Sequence, residues 1–341
     1  MSEAVIQARP GTPHRLLSSA FLLTAVAAFM VAIDNLVIVT YAPWQWIFLV
    51  NLPIGLVVLP IVWTKIEESR GPHDRLDLRG VALSSVGLLA VVYALINGND
   101  LGWTHPAVVG GFVACAVLLP AFMVAQSRTP DPMLPPALLR RGGFAVSISL
   151  YLLMTFGLFG TMFLATQYFQ NALGYSPLRA GLAIAPAAVL PVLIAPFTGT
   201  ISRRIGGGAV LALGMALQAA GLAGLSLTVA PHISYPRMLP SLLLLGVAAS
   251  LFFGQISRVI LDSVPTRYEG IASGTGTTFR QLGTTLGVAV LGATFAAAGG
   301  YRNAATFSHG FRVALRVGAG AAVLAAMLAL ILRRANEPET A

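Results

Sequence analysis

The stretch FAVSISLYLLMTFGLFGTMFLATQYF, residues 144–169, decides the fold. It carries no charged residue, and the polar-apolar alternation at 147–151 does not continue along the run. A helix needs about 20 mostly apolar residues to cross the hydrocarbon core, with a range of roughly 17–25. Only helices and closed barrels satisfy every backbone amide in lipid, and barrel strands need an alternation that this run lacks. Working outward, nine further apolar stretches obey the same rule: 16–40, 46–63, 81–97, 107–125, 180–199, 207–230, 238–257, 271–297 and 311–332. The sequence therefore predicts an all-α membrane protein with about ten transmembrane helices.

Composition agrees. The 341 residues are 56% hydrophobic and 10% charged, with a mean hydropathy of +0.80. A soluble domain is about a quarter charged. The formal net charge of +9 could suggest a nucleic-acid partner, but position argues otherwise. Arg9, Arg15, Lys65, Arg70, Arg75, Arg79, Arg128, Arg140, Arg141, Arg203, Arg204, Arg258, Arg267, Arg333 and Arg334 all fall on one side of the alternating gaps. The opposite gaps, counted together with the first residues of the tenth stretch, hold only Arg179, Arg237, Arg302, Arg312 and Arg316, and Arg280 lies inside the ninth stretch. The positive-inside rule then predicts a multi-pass protein of the cell inner (plasma) membrane with both termini cytoplasmic and no nucleic-acid partner. The lone Cys115 excludes an intrachain disulfide. The first apolar run reaches Thr40, long for a signal peptide, so a retained first helix is expected.

The gaps suggest four parts: residues 1–63 with two helices, a helix pair in 64–125, a cytoplasmic linker at 126–143, and six clustered helices in 144–334. The linker contains SRTPDPMLPPALLRR, whose prolines favour an extended path, with room for a short interfacial helix at 134–140. Trp103, in the outer loop 98–106, suits an interfacial depth.

Four features stand out inside the apolar segments. Asp34, in FMVAIDNLVIVT, is the one acid well inside such a segment. A charge there costs about 2.5–3.5 kcal/mol on insertion scales. It either snorkels or caps near the outer end, or binds a proton as a desolvated carboxylate, with Asn35 as hydrogen-bond neighbour. Arg280 lies ten residues into its segment, about 15 Å of helix rise. It either snorkels inward or faces a cavity or a carboxylate. The glycines at 274, 276, 283, 287 and 292 around it offer a small-residue packing surface. Phe159, Gln167 and Tyr168, within a segment rich in aromatics and amides, suit a greasy substrate cavity or an ordinary aromatic belt, and Gln218 and Gln255 read the same way. Finally, GTISRRIGGG at 199–208 is a tight glycine-rich turn with Arg203 and Arg204. Enzyme chemistry finds no support: His14, His73, His105, His232 and His309 lie in loops or at segment ends, with no metal-ligand spacing and no nucleophile or phosphate-loop motif. No cofactor and no metal is expected.

Four motifs in order carry a family resemblance. FMVAIDNLVIVT (29–40) resembles the first helix of the proton-coupled multidrug antiporters with fourteen transmembrane helices, in the major facilitator superfamily. WQWIFLVNLPIG (44–55) resembles the start of that family's sixth helix, with Gln45 in place of an arginine. TQYFQNALGYSPLRAGLAIAPAAV (166–189) and GIASGTGTTFRQLGTTLGVAVLG (270–292) are similar to two motifs of its second half. The likeness implies a major facilitator-like fold, export of small apolar or cationic compounds, proton coupling through Asp34, and a substrate cavity that includes Asn35 and Arg280. GTISRRIGGG then resembles a weaker echo of the family's gating loop, with Ser202 where an acid is usual.

The departure is that the first and sixth family helices abut, with a seam at 40–43 and helices two to five absent. The second six-helix bundle is expected to be complete and the first reduced to two helices. This leaves two readings: a working proton-driven exporter, or a truncated relative that inserts without transporting and serves at most as a binding or assembly partner. The implied partners are a small-molecule substrate, protons and the lipid bilayer, with a homo-oligomer left open.

Overall fold

The computed structural model describes residues 77–129, 132–335 and six isolated positions between 49 and 60. The chain divides into two compact units, Met1–Arg70 and Gly71–Ala341. The described residues of the second unit form helices without strands: α1 (Leu78–Leu101), α2 (Pro106–Arg128), the short α3 (Pro136–Leu139), α4 (Gly142–Gln167), α5 (Pro177–Ile205), α6 (Gly207–Thr228), α7 (Tyr235–Phe253), α8 (Ile256–Asp262), α9 (Glu269–Ala298) and α10 (Ala304–Ala335). Among them are eight spans long and apolar enough to cross a membrane, one for each of the eight apolar stretches from 81–97 onward. The first two stretches lie outside the described residues, apart from the isolated positions.

Helix ends reflect local chemistry. Asp77 caps α1 by accepting from Gly80 N at 2.8 Å. Ser176 caps α5, accepting from Arg179 N at 3.3 Å, with Pro177 in the first turn where no amide is needed. Asn303 accepts from Thr306 N at 2.9 Å, so α10 begins at Ala304, earlier than the apolar stretch 311–332 suggests. Arg312 and Arg316, assigned to an outer gap from sequence, therefore sit two to three turns inside α10. The linker supplies its short helix as α3, whose Leu138 is buried.

In lipid the hydrophobic effect does not drive helices together; close contact and interhelical hydrogen bonds do. Small residues mark these contacts. The buried face of α1 is Gly80, Gly87, Ala94 and Gly98, and α2 approaches until a Cβ on Gly111 would lie 2.6 Å from Ala90 O. The α1–α2 hairpin leans on α9, where Asn99 Nδ2 donates to Ala293 O at 2.9 Å. In the bundle, α4 packs on α9 and α10, α6 on α10 and α7, and α7 on α5. Tyr235 Oη donates to Ala183 O at 3.0 Å across the last pair. The exterior stays apolar, with Val192 and Leu227 among the exposed side chains, as a lipid-facing surface requires.

Candidate functional site

The α4–α9 contact joins a glycine face of α9 to a polar stretch of α4. A Cβ on Gly283 would collide with Leu152 O and Thr155 Oγ1, and one on Gly287 with Phe156 O. Gly160 reciprocates, its absent Cβ lying 2.6 Å from Gly287 O. Gly276 packs less tightly, at 3.1 Å from Ile260 Cδ1, while Gly274 and Gly292 face open space. Helical phase explains the split. At 3.6 residues per turn, positions 276 and 287 fall within about 40° of Gly283. Positions 274 and 292, nine residues away on either side, fall about 180° from it.

This packing brings Thr155 Oγ1 to 3.0 Å from Arg280 O and 2.9 Å from Tyr151 O. The Arg280 side chain is half-buried, about 16 Å of rise from the start of α9. Tyr151, whose carbonyl accepts from Thr155 Oγ1, has its ring against Phe252 and Phe253 of α7, with centroids 5.9 and 6.1 Å away. Among the described residues no carboxylate pairs with Arg280. The ion pair found there is Arg258–Asp262, at 3.6 Å on the exposed face of α8.

The other candidates are dispersed. Tyr168 is fully buried, its ring 5.3 Å from Phe311 and 6.1 Å from Phe307, and its hydroxyl donates to Ala230 O at 2.7 Å. It packs at the end of the bundle where a π-turn continues α4. Gln167 accepts from Tyr301 Oη at the same end. Gln218 is fully buried between α6 and α4; its Nε2 donates to Met154 O at 2.9 Å and its Oε1 has no partner. Gln255 is buried at the break between α7 and α8, its Oε1 also without a partner. Phe159 is exposed. Arg203 and Arg204 are exposed in the last turn of α5, with Arg203 Nη2 donating to Thr200 Oγ1 at 3.0 Å. Gly206, at φ 85°, makes the turn into α6 in a single residue, a conformation that favours glycine. Asp34 and Asn35 lie outside the described residues.

Two cavities lie elsewhere, and none of these candidates lines either. One, of about 960 Å³, separates the α1–α2 hairpin and the linker from α9. Its polar edge includes Asp77, Ser84, Thr278 and Arg267. A smaller one, of about 430 Å³, lies beside the linker at Arg140 and Tyr268. Gln126, buried between them, donates to Asp77 Oδ2 and accepts from Leu134 N at 2.9 Å, tying the hairpin to the linker. Sequence reasoning missed this network. Its one signal was an amide next to a proline-rich stretch.

Comparison with known proteins places this geometry in a family. The Major Facilitator Superfamily pattern matches residues 15–288. The multidrug resistance protein Stp of Mycobacterium tuberculosis is 34% identical over 255 residues, covering 74% of this chain and 47% of that protein. The tetracenomycin C resistance and export protein of Streptomyces glaucescens is 30% identical over 262 residues, covering 76% and 48%. The puromycin resistance protein pur8 of Streptomyces alboniger is 33% identical over 314 residues, covering 86% and 61%. The chain spans about half the length of the first two. With its matching motifs, its membrane-spanning helices and a family pattern over most of its length, the chain belongs to the major facilitator superfamily.

Proposed function

We propose that the chain is built on the plan of a proton-driven exporter of small apolar or cationic compounds. The observation that carries this reading is the six-helix bundle of α4–α7, α9 and α10 in a chain whose relatives are named for multidrug resistance or antibiotic export. Transporters of this kind rock two bundles about a site near the bilayer midplane. In this reading Asp34 takes up the proton. Desolvation favours its neutral form in one access state, and the charged form is favoured in the other. Arg280, at mid-depth and without a carboxylate partner among the described residues, supplies a fixed positive charge that the cycle must offset. Arg203 and Arg204, in the last turn of α5, act as the gating pair beside the turn into α6, and both termini are cytoplasmic.

One observation favours a second reading. The chain spans about half the length of its first relatives, and its first and sixth family motifs abut at 40–43. Two helices do not form one wall of a gated cavity, so export would require the four absent helices. In the absence of those helices the chain would serve at most as a membrane binding or assembly partner.

Proton movement tests the coupling. Everted vesicles bearing the chain with those helices restored should release internal protons when a lipophilic cation such as ethidium is added. Asp34→Asn should abolish that release. Release that persists in the variant would remove Asp34 from the mechanism.

A further inference from the structure

The cleft of about 960 Å³ between the hairpin and α9 is independent of the export reading. Its walls are apolar: Leu88 of α1, Leu119 and Met123 of α2, and Ile271, Phe279 and Leu282 of α9. Glycine keeps it open. Gly270 and Gly274 line it, and a Cβ built on either meets nothing within 4 Å. Gly274 is not a packing glycine; its missing side chain is the space itself.

Among the described residues, the mouth of the cleft carries one charge of each sign, Asp77 and Arg267, and the two are held differently. Asp77 lines it, but its carboxylate is engaged by Gly80 N and Gln126 Nε2. Arg267 lines it too, exposed, with its guanidinium 4.7 Å from the Tyr268 ring centroid. No carboxylate pairs with Arg267 among the described residues, although Glu269 is near in sequence. Arg140 lines the smaller cavity together with Tyr268. An apolar slot ending at such a guanidinium fits a molecule with a long apolar body and an anionic head. In a bilayer the most abundant molecule of that description is an anionic phospholipid.

We infer that the cleft between the α1–α2 hairpin and α9 binds an anionic phospholipid, with an acyl chain between the helices and the phosphate at Arg267. The lipid fills the gap that separates the hairpin from the bundle and fastens the two together. It adds to the hydrogen bond from Asn99 to Ala293 O.

The test uses the full chain, purified in detergent, stripped of lipid and titrated with phosphatidylglycerol or phosphatidylcholine, with bound lipid read by native mass spectrometry. The expected result is about a fivefold preference for phosphatidylglycerol, the equivalent of the roughly 1 kcal/mol that one basic residue contributes near an anionic headgroup. Arg267→Gln should lose the preference while still binding both lipids. Gly274→Trp should lose the bound lipid, because the indole fills the slot. Ser85→Trp, from the opposite wall, gives the same readout, and thermal melting verifies that each variant folds. Equal binding of both lipids by the unaltered chain would overturn the inference. So would undiminished binding in folded Gly274→Trp and Ser85→Trp chains, or ethidium displacing phosphatidylglycerol from the cleft.

Discussion

Replacing Gly283 by alanine puts one methyl group where α9 meets α4. That methyl collides with Leu152 O, a backbone atom, and with Thr155 Oγ1, so no side-chain rotation relieves both contacts. Forcing extra methylenes into a packed contact costs about 1–3 kcal/mol. Separating the helices also weakens the 3.0 Å bond between Thr155 Oγ1 and Arg280 O, worth about 0.6 kcal/mol by analogy with other membrane bundles. Against this, alanine gains about 0.5–1 kcal/mol over glycine in a helix interior. Gly292→Ala in the same helix receives that gain without the collision, since its Cβ would meet nothing within 4 Å. The propensity gain is common to both, so the two variants should differ by about 1.6–3.6 kcal/mol, on opposite sides of the parent. Thermal melting of the purified chain in detergent, tracked by circular dichroism, reads the order directly. Gly283→Leu and Gly287→Leu should also lower the yield of folded protein. If Gly283→Ala melted together with Gly292→Ala, or above it, α9 would not pack through this face.

Three further outcomes are expected of the same structure. Tyr168→Phe removes the bond to Ala230 O but keeps the ring among Phe307 and Phe311, so it should cost about 0.5–1.5 kcal/mol of stability and leave ethidium binding by the chain unchanged; lost binding without lost stability would move Tyr168 out of the core. Gln218→Leu removes a buried amide whose Oε1 has no partner along with its bond to Met154 O, so it should change stability by less than about 1 kcal/mol, whereas Gln218→Glu should melt lower, because a glutamate buried there must take up a proton to fold; equal melting of the two would contradict this placement. On a Cys115→Ser background, cysteine at Tyr301 should react with an impermeant maleimide from outside the cell and cysteine at Ser127 should not; the reverse pattern would invert the orientation.

Much of the helical layout was legible because apolar run length is a property of sequence alone. The eight described spans match eight apolar stretches, and errors occur at ends, as at α10, where the Asn303 cap rather than hydropathy sets the start. The glycine face of α9 was only half read. The five glycines look alike in sequence, yet angular position alone sorts 276, 283 and 287 from 274 and 292. The candidate cavity residues were legible as exceptional but not as to role. An amide or phenol in an apolar helix needs a polar partner, and a neighbouring helix carbonyl serves as well as a substrate does. Gln218 and Tyr168 take the carbonyl. The cleft beside α9 was not legible, because it arises from how the hairpin leans on the bundle.

The central claim is that this chain shares the plan of a proton-driven exporter whose first bundle lacks the four helices between its first and sixth motifs. Ethidium efflux driven by a proton gradient tests it most directly, in cells expressing three proteins at matched membrane levels. These are the 341-residue chain, a version with the four family helices restored at the 40–43 seam, and that restored version carrying Asp34→Asn. The account predicts efflux from the restored version alone. Robust efflux by the 341-residue chain, or efflux from the restored version that survives Asp34→Asn, would contradict it.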